Sequence, residues 1–230
     1  MQSHTVKLLT SSLVAAAALA GSAHAATIVW SSATASTSGS FGDILDTGLF
    51  DTTGTLISAE NVGGAAVTFD TINFTAGTTT FSTGGTFNGF HQAGQELSQT
   101  GAYSDANNTG TVSFSGLTIG ATYRIQALVF DGRGAVGIPG RTVEFDGVDQ
   151  GQYANGVFNT TWGPGLLVTG TFTADANTQD FTIEGFNTDP VSSGAQLNAL
   201  TLYQTSAVPE PSTTALLGLS GLALILRRRK

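Results

Sequence analysis

The chain has 230 residues, with 30 glycines, 14 phenylalanines, no cysteine and a formal net charge of −8 at pH 7. The lack of cysteine excludes disulfides and thiol catalysis. Apart from the two ends, fifteen acids face only Arg124, Arg133 and Arg141, a net of −12, and such a surface repels phosphate and argues against nucleic acid as a partner.

Residues 1–25 begin with a short segment carrying His4 and Lys7 and continue with an apolar run over 8–20. Small residues follow, ending in Ala23-His24-Ala25. That is the pattern of a signal peptide helix cleaved after Ala25, so that the exported chain starts at Ala26. The apolar run is shorter than the roughly 20 residues a membrane span needs, which disfavours an N-terminal anchor.

Residues 26–205 read as strands separated by Gly/Ser/Thr/Asn-rich turns. The predicted strands begin with Thr27–Trp30, a weak one at Thr55–Ser58, and Val67–Phe74, whose apolar residues change face between Phe69 and Ile72 as at a bulge. Residues 41–50 suit a short strand or a helical turn, and 75–108 suit long loops with short strands. Alternation is clearer afterwards, at Thr111–Ser115, then over residues 121–130, the longest apolar strand. There Tyr123, Ile125, Ala127 and Val129 face one side. Arg124, Gln126, Leu128 and Phe130 face the other, with the polar end expected to be half exposed. Further strands are expected at Arg141–Phe145, Leu166–Thr173, 180–186 and 196–203, with Asp131-Gly132, Asp146-Gly147 and Asn155-Gly156 as turns. This spacing predicts an all-β fold, a single antiparallel β-sandwich of jelly-roll type. Two small β domains divided near 75–108 are the alternative.

The stretch 103–134 and the closing 195–204 resemble secreted bacterial domains of the galactose-binding-like jelly-roll type. Leu117, Gly120 and Tyr123 supply that family's turn into a long central strand, and Asn198 its late asparagine in an apolar setting. The resemblance implies the fold and, more weakly, carbohydrate binding.

The search for chemistry is short. No G-x-S-x-G elbow is present, and His91 is the only histidine left once the leader is gone, which excludes a zinc site built on several histidines. Glu60, Glu96, Glu144 and Glu184 are the glutamates a glycosidase would draw on, but alternation exposes Glu144 and Glu184 on a sheet face. The body is therefore expected not to be an enzyme. No cofactor is implied except calcium, for which Asp146, Asp149, Asp175, Asn177 and Asp180 are the oxygen donors, although turns use the same residues for local hydrogen bonds. For a sugar, Trp162 could stack, with Asp131 and Arg133 as polar partners.

Residues 206–230 form a tail. Pro209 and Pro211 hold the chain extended, and an apolar run over 215–226 predicts a hydrophobic helix, followed by Arg227, Arg228, Arg229 and Lys230. From Ser212 to Leu226 such a helix is roughly 22 Å long against a hydrocarbon core of about 30 Å. It is short for a permanent anchor, and the basic end should stay cytoplasmic. The ensemble closely resembles the PEP-CTERM sorting signal of Gram-negative bacteria, in which Pro209, Glu210 and Pro211 match the motif and Arg227–Arg229 its basic end. The resemblance implies an exosortase-type membrane processing enzyme as partner and membrane anchorage before processing. Display at the cell surface or in the extracellular matrix follows, where polysaccharide is a conceivable ligand. The rival is a single-pass anchor that is kept.

Overall fold

The computed structural model describes residues 26–35, 47–77, 81, 85–88, 97, 100–104, 109–130, 141–154, 165–187 and 192–207. They are almost wholly β. The strands in chain order are β1 Val29–Trp30, β2 Thr34–Ala35, β3 Thr55–Val62, β4 Val67–Phe69, β5 Ile72–Gly77, β6 Gly85–Asn88, β7 Thr100–Tyr103 and β8 Thr109–Ser115. There follow β9 Thr122–Val129, β10 Arg141–Phe145, β11 Val148–Ala154, β12 Leu166–Thr173, β13 Thr178–Asn187, β14 Ser192–Ser193, β15 Gln196–Leu197 and β16 Ala199–Ser206.

Two sheets face each other as a sandwich. The larger has the order β1-β12-β9-β16-β3-β5-β4, with β2 also on β12, and the smaller β11-β10-β13-β14, with β8 beside β14 on the same edge of β13. A third small sheet, β15-β7-β6, extends one end. Among the described residues all pairings are antiparallel except β3 with β5, which departs from the expected antiparallel sandwich. Strands from before and after residues 75–108 are neighbours in the larger sheet, as β3 and β16 show.

Period-2 alternation builds the core. Tyr123, Ile125, Ala127 and Val129 of β9 meet Val112, Phe114, Val143, Phe145, Phe181 and Ile183 of the smaller sheet between the layers. The outer face of the larger sheet is covered too. Leu128, Leu167 and Ala199 pack there beneath Phe50, Ile72, Phe74 and Leu97. Trp30 clamps one edge, its ring 4.9 Å from Phe145 and 5.1 Å from Phe181 edge-on, and its indole N–H donates to Asp146 Oδ2 at 3.0 Å. Gly170 makes room for it, since a Cβ there would lie 2.5 Å from the indole.

Three strand expectations change. Val67–Phe74 holds a hairpin turn instead of a bulge: Phe69 pairs with Ile72, Asp70 takes φ 51° and its carboxylate accepts the Gly48 N–H at 2.8 Å. The strand expected at 196–203 is interrupted at Asn198. This residue is 0% exposed, its Oδ1 accepts the Phe130 N–H at 2.7 Å, and its Nδ2 donates to the Thr100 carbonyl at 2.9 Å. Its own N–H donates to Leu128 and its carbonyl accepts from Val62. One side chain thereby ties β9 to β7 while its backbone ties β9 to β3. Finally, β11 was not expected, because Val148–Ala154 has little apolar alternation of its own.

The Leu117, Gly120 and Tyr123 turn has a structural task. Gly120 adopts φ 84°, Tyr123 Oη accepts the Thr118 N–H at 2.9 Å, and across the β8–β9 and β12–β13 turns the Gly120 N–H donates to the Ala174 carbonyl while the Ala174 N–H donates to the Ala121 carbonyl.

Candidate functional site

The register fixes two ends of the sandwich. Thr122, Thr173 and Ser206 form one end row of the larger sheet, and β1 pairs with Thr171 and Gly170, so Ala26 lies there as well. We call this the terminal end. At the opposite, loop end, Val129 pairs with Leu166 and Arg141 with Ala154 and Asn187. The predicted sugar contacts Asp131, Arg133 and Trp162 lie outside the described residues, as does His91. Their flanking strands leave from the loop end, so the segments 131–140 and 155–164 are rooted side by side.

The sorting residues Pro209, Glu210, Pro211, Arg227, Arg228 and Arg229 and the leader residues Ala23 and Ala25 also lie outside the described residues. Ala26 is half-buried and packs on the main core. Among the described residues no helix is long and apolar enough to cross a membrane.

Toward the terminal end, the outer face of the larger sheet carries a polar cluster that alternation alone placed half in solvent. Arg124 is 8% and Gln126 2% exposed, because residues 50–54 fold over them. Arg124 Nη1 contacts Asp51 Oδ2 at 2.7 Å. Its Nη2 donates to the carbonyls of Asp51 and Thr53 at 2.7 and 2.8 Å, and its guanidinium lies 5.3 Å over the Tyr203 ring. With its amide oriented to suit its neighbours, Gln126 donates to the Asp51 carbonyl and accepts the Asp51 N–H. The sequence signal was available only in part: a charged and an amide residue on a long apolar strand require buried partners, but nothing names the segment that supplies them.

Asp51 is the titrating member. The Thr53 N–H at 2.9 Å is the main reason its carboxyl sits below the usual 3.8. Partial desolvation opposes this, while the Thr53 hydroxyl and Arg124 add to it. A depressed carboxyl stabilises the fold above its unfolded value, and that contribution is lost as pH falls through the folded value. The Asp51 side chain is half exposed, which keeps the effect local. Amide protection factors at residues 50–54, which remove the intrinsic pH dependence of exchange, are therefore expected to fall on acidification below about pH 3.8, and that fall should be absent in Asp51→Asn.

The five calcium candidates divide among separate tasks. Asp146 sits with Gly147 in a two-residue hairpin, φ 48° and 74°. Its Oδ1 accepts from the Thr182 N–H and hydroxyl, and its Oδ2 from Trp30. Asp149 Oδ1 caps the Gly151 N–H at 2.8 Å. Asp175 and Asn177 are exposed in the turn before β13, where Asn177 accepts from Leu117 through its backbone, and Asp180 lies opposite Ser113. Among the described residues no three acidic or histidine side chains are grouped to hold a metal ion.

Glu144 and Glu184 do share a face. They are directly opposite across β10 and β13, and Asp149 is opposite Glu144 on the other side. Both glutamates are half-buried instead of exposed, and Thr109 donates to Glu184 at 3.1 Å. Three like charges in one row repel. Glu144→Lys is expected to raise stability by about 0.5–1 kcal/mol, read as a higher melting temperature at low salt that salt erodes.

At the terminal end a shallow cleft of about 460 Å3 is lined by Thr27, Val29, Thr122, Thr171, Thr173 and Asp175 among others. Its polar groups are hydroxyls and one carboxylate. Phe172 also borders it, but that ring is buried and stacked on Tyr123, so it is not available to stack on a sugar.

Comparison with known proteins adds one assignment. Residues 207–230 match the PEP-CTERM protein-sorting motif. The match begins one residue past the last strand, so the motif starts where the sandwich ends. No curated protein matches the chain. Solved structures similar to it include the plant receptor-like kinase FER, at 12% identity and TM-score 0.46 over 66% of this chain and 50% of that one. The ANXUR1 extracellular domain from Arabidopsis thaliana gives 12% and 0.45 over 66% and 49%. Beta-glucuronidase 2 of Bacteroides uniformis gives 16% and 0.41 over 64% and 17%. The chain spans about half the length of the plant chains it matches. These likenesses are too distant to carry a function.

Proposed function

We propose that this is an exported protein that an exosortase-type membrane enzyme recognises through its PEP-CTERM motif, and that the released sandwich has a non-catalytic structural or interaction role at the cell surface or in the extracellular matrix. The motif at 207–230 carries the reading. It agrees with the leader pattern ending at Ala25 and with a fold stabilised without disulfides.

The body supports a non-catalytic role through what its conspicuous polar groups do. Arg124, Gln126, Asp146 and Asn198 are engaged in holding segments together. The Glu144–Glu184 pair stands on a sheet face, whereas glycoside hydrolysis needs two carboxyls across a cleft. The residues behind the galactose-binding-like resemblance, Leu117, Gly120, Tyr123 and Asn198, build turns and strand junctions, so that likeness speaks for a jelly-roll fold more than for a ligand.

Affinity electrophoresis of the exported protein in gels cast with acidic and neutral polysaccharides tests the role. Unretarded migration is expected. Retardation that Trp162→Ala abolishes would replace this reading with that of a carbohydrate-binding module.

A further inference from the structure

On the proposed function the leader and the tail are segments that meet a membrane, and the fold brings their attachment points to one end. Ala26 precedes β1, which pairs with Thr171 at the terminal end. Ser206 pairs with Thr122, and the Thr205 hydroxyl donates to the Thr122 carbonyl. One strand, β12, separates β1 from β9, so the two exits lie a few strand spacings apart, each about 4.8 Å.

The same end carries most of the exposed apolar side chains. Among the described residues, Val29, Leu56, Ile57 and Ile119 are four of the five large hydrophobics that are exposed. Val29 and Leu56 share one row across the larger sheet with Thr171, Arg124 and Tyr203. Ile119, 60% exposed, caps the turn into β9. A turn tip normally carries polar or small residues, and single exposed apolar residues need no explanation, but a gathering at one end does.

We infer that the terminal end is the membrane-facing surface of the unprocessed protein, with Ile119 at its turn tip, Val29, Leu56 and Ile57 on the strands beside it close to the lipid surface, and the loop end turned away from it. This rests on the reading that residues 207–230 seat in a membrane before processing. On that reading the eight residues 207–214 can reach at most roughly 28 Å between body and membrane. The loop end stands a further eight-residue strand away, about 26 Å. Asp51 and Asp175 lie toward the same end and oppose adhesion to anionic lipid. Contact is therefore imposed by the tether and ends with processing, which frees the body. The roots of segments 131–140 and 155–164 meanwhile face outward.

The cysteine-free chain permits a direct test. Single cysteines at Ile119→Cys, Val29→Cys and, at the loop end, exposed Gln152→Cys are labelled with bimane in the full chain. The protein is reconstituted in phosphatidylcholine vesicles containing a spin-labelled quencher lipid. Flotation with the vesicles and several-fold stronger quenching at positions 119 and 29 than at 152 are expected. Flotation with equal quenching, or with stronger quenching at 152, overturns the orientation and leaves the anchoring intact. Failure to float overturns both.

Discussion

Asn198→Ala is expected to lower the unfolding free energy by about 2–4 kcal/mol, because it removes the side chain's hydrogen bonds to two backbone partners, at roughly 1–3 kcal/mol for a buried one. Those partners are the Phe130 N–H and the Thr100 carbonyl. The bond to Phe130 is buried and that to Thr100 partly so, and Asn198 itself is 0% exposed. For a chain of this size the melting temperature should fall by roughly 5–15 °C. Asn198→Asp separates shape from hydrogen bonding. Its carboxylate still accepts from Phe130 but faces the Thr100 carbonyl without a proton to donate. Burial then raises its folded pKa above the usual Asp value near 3.9. Stability is kept below the unfolded value and is lost as pH rises through the folded value. Thermal melts from pH 3 to 7 should thus show the aspartate variant approaching the parent only in acid, while the alanine variant stays low throughout.

Replacing Pro209, Glu210 and Pro211 together by alanine should abolish processing. Proline favours extended backbone in the residue before it and opposes a helix running through it, so the two prolines are expected to stop a helix over the apolar run from continuing backward. Alanine is the strongest helix former, so the apolar helix would extend through the recognition segment and toward Ser206. The exported chain should then remain in the membrane fraction with its basic end attached. Fractionation of a producing cell that carries the processing enzyme checks this, the expected outcome being near-complete loss of the released form. Release at the parental level would show that the prolines and Glu210 are not read.

Alternation made the core legible. The two faces of residues 121–130 were assigned from spacing alone, and Tyr123, Ile125, Ala127 and Val129 do meet the opposite sheet. Arg141–Phe145 and Leu166–Thr173 carry strong local patterns and form strands with those bounds. Legibility failed where a distant segment decides the environment. Arg124 and Gln126 looked half-solvated because the sheet pattern cannot show that residues 50–54 come back across that face. Asn198 stands out in the sequence as an asparagine among apolar residues, but its partners are 68 and 98 positions away. Asp146 illustrates the converse. Asp-Gly correctly signalled a two-residue hairpin, and that turn role, with Trp30 and Thr182 as partners, is what its carboxylate serves. The PEP-CTERM tail was legible because it works as a linear signal, whose order of prolines, apolar run and arginines needs no fold to be read.

Intact-mass spectrometry of the exported protein tests the account most directly. It predicts a chain that starts at Ala26 and has lost the apolar run and Arg227–Lys230. An exported chain whose mass still includes Arg227–Lys230 would contradict it.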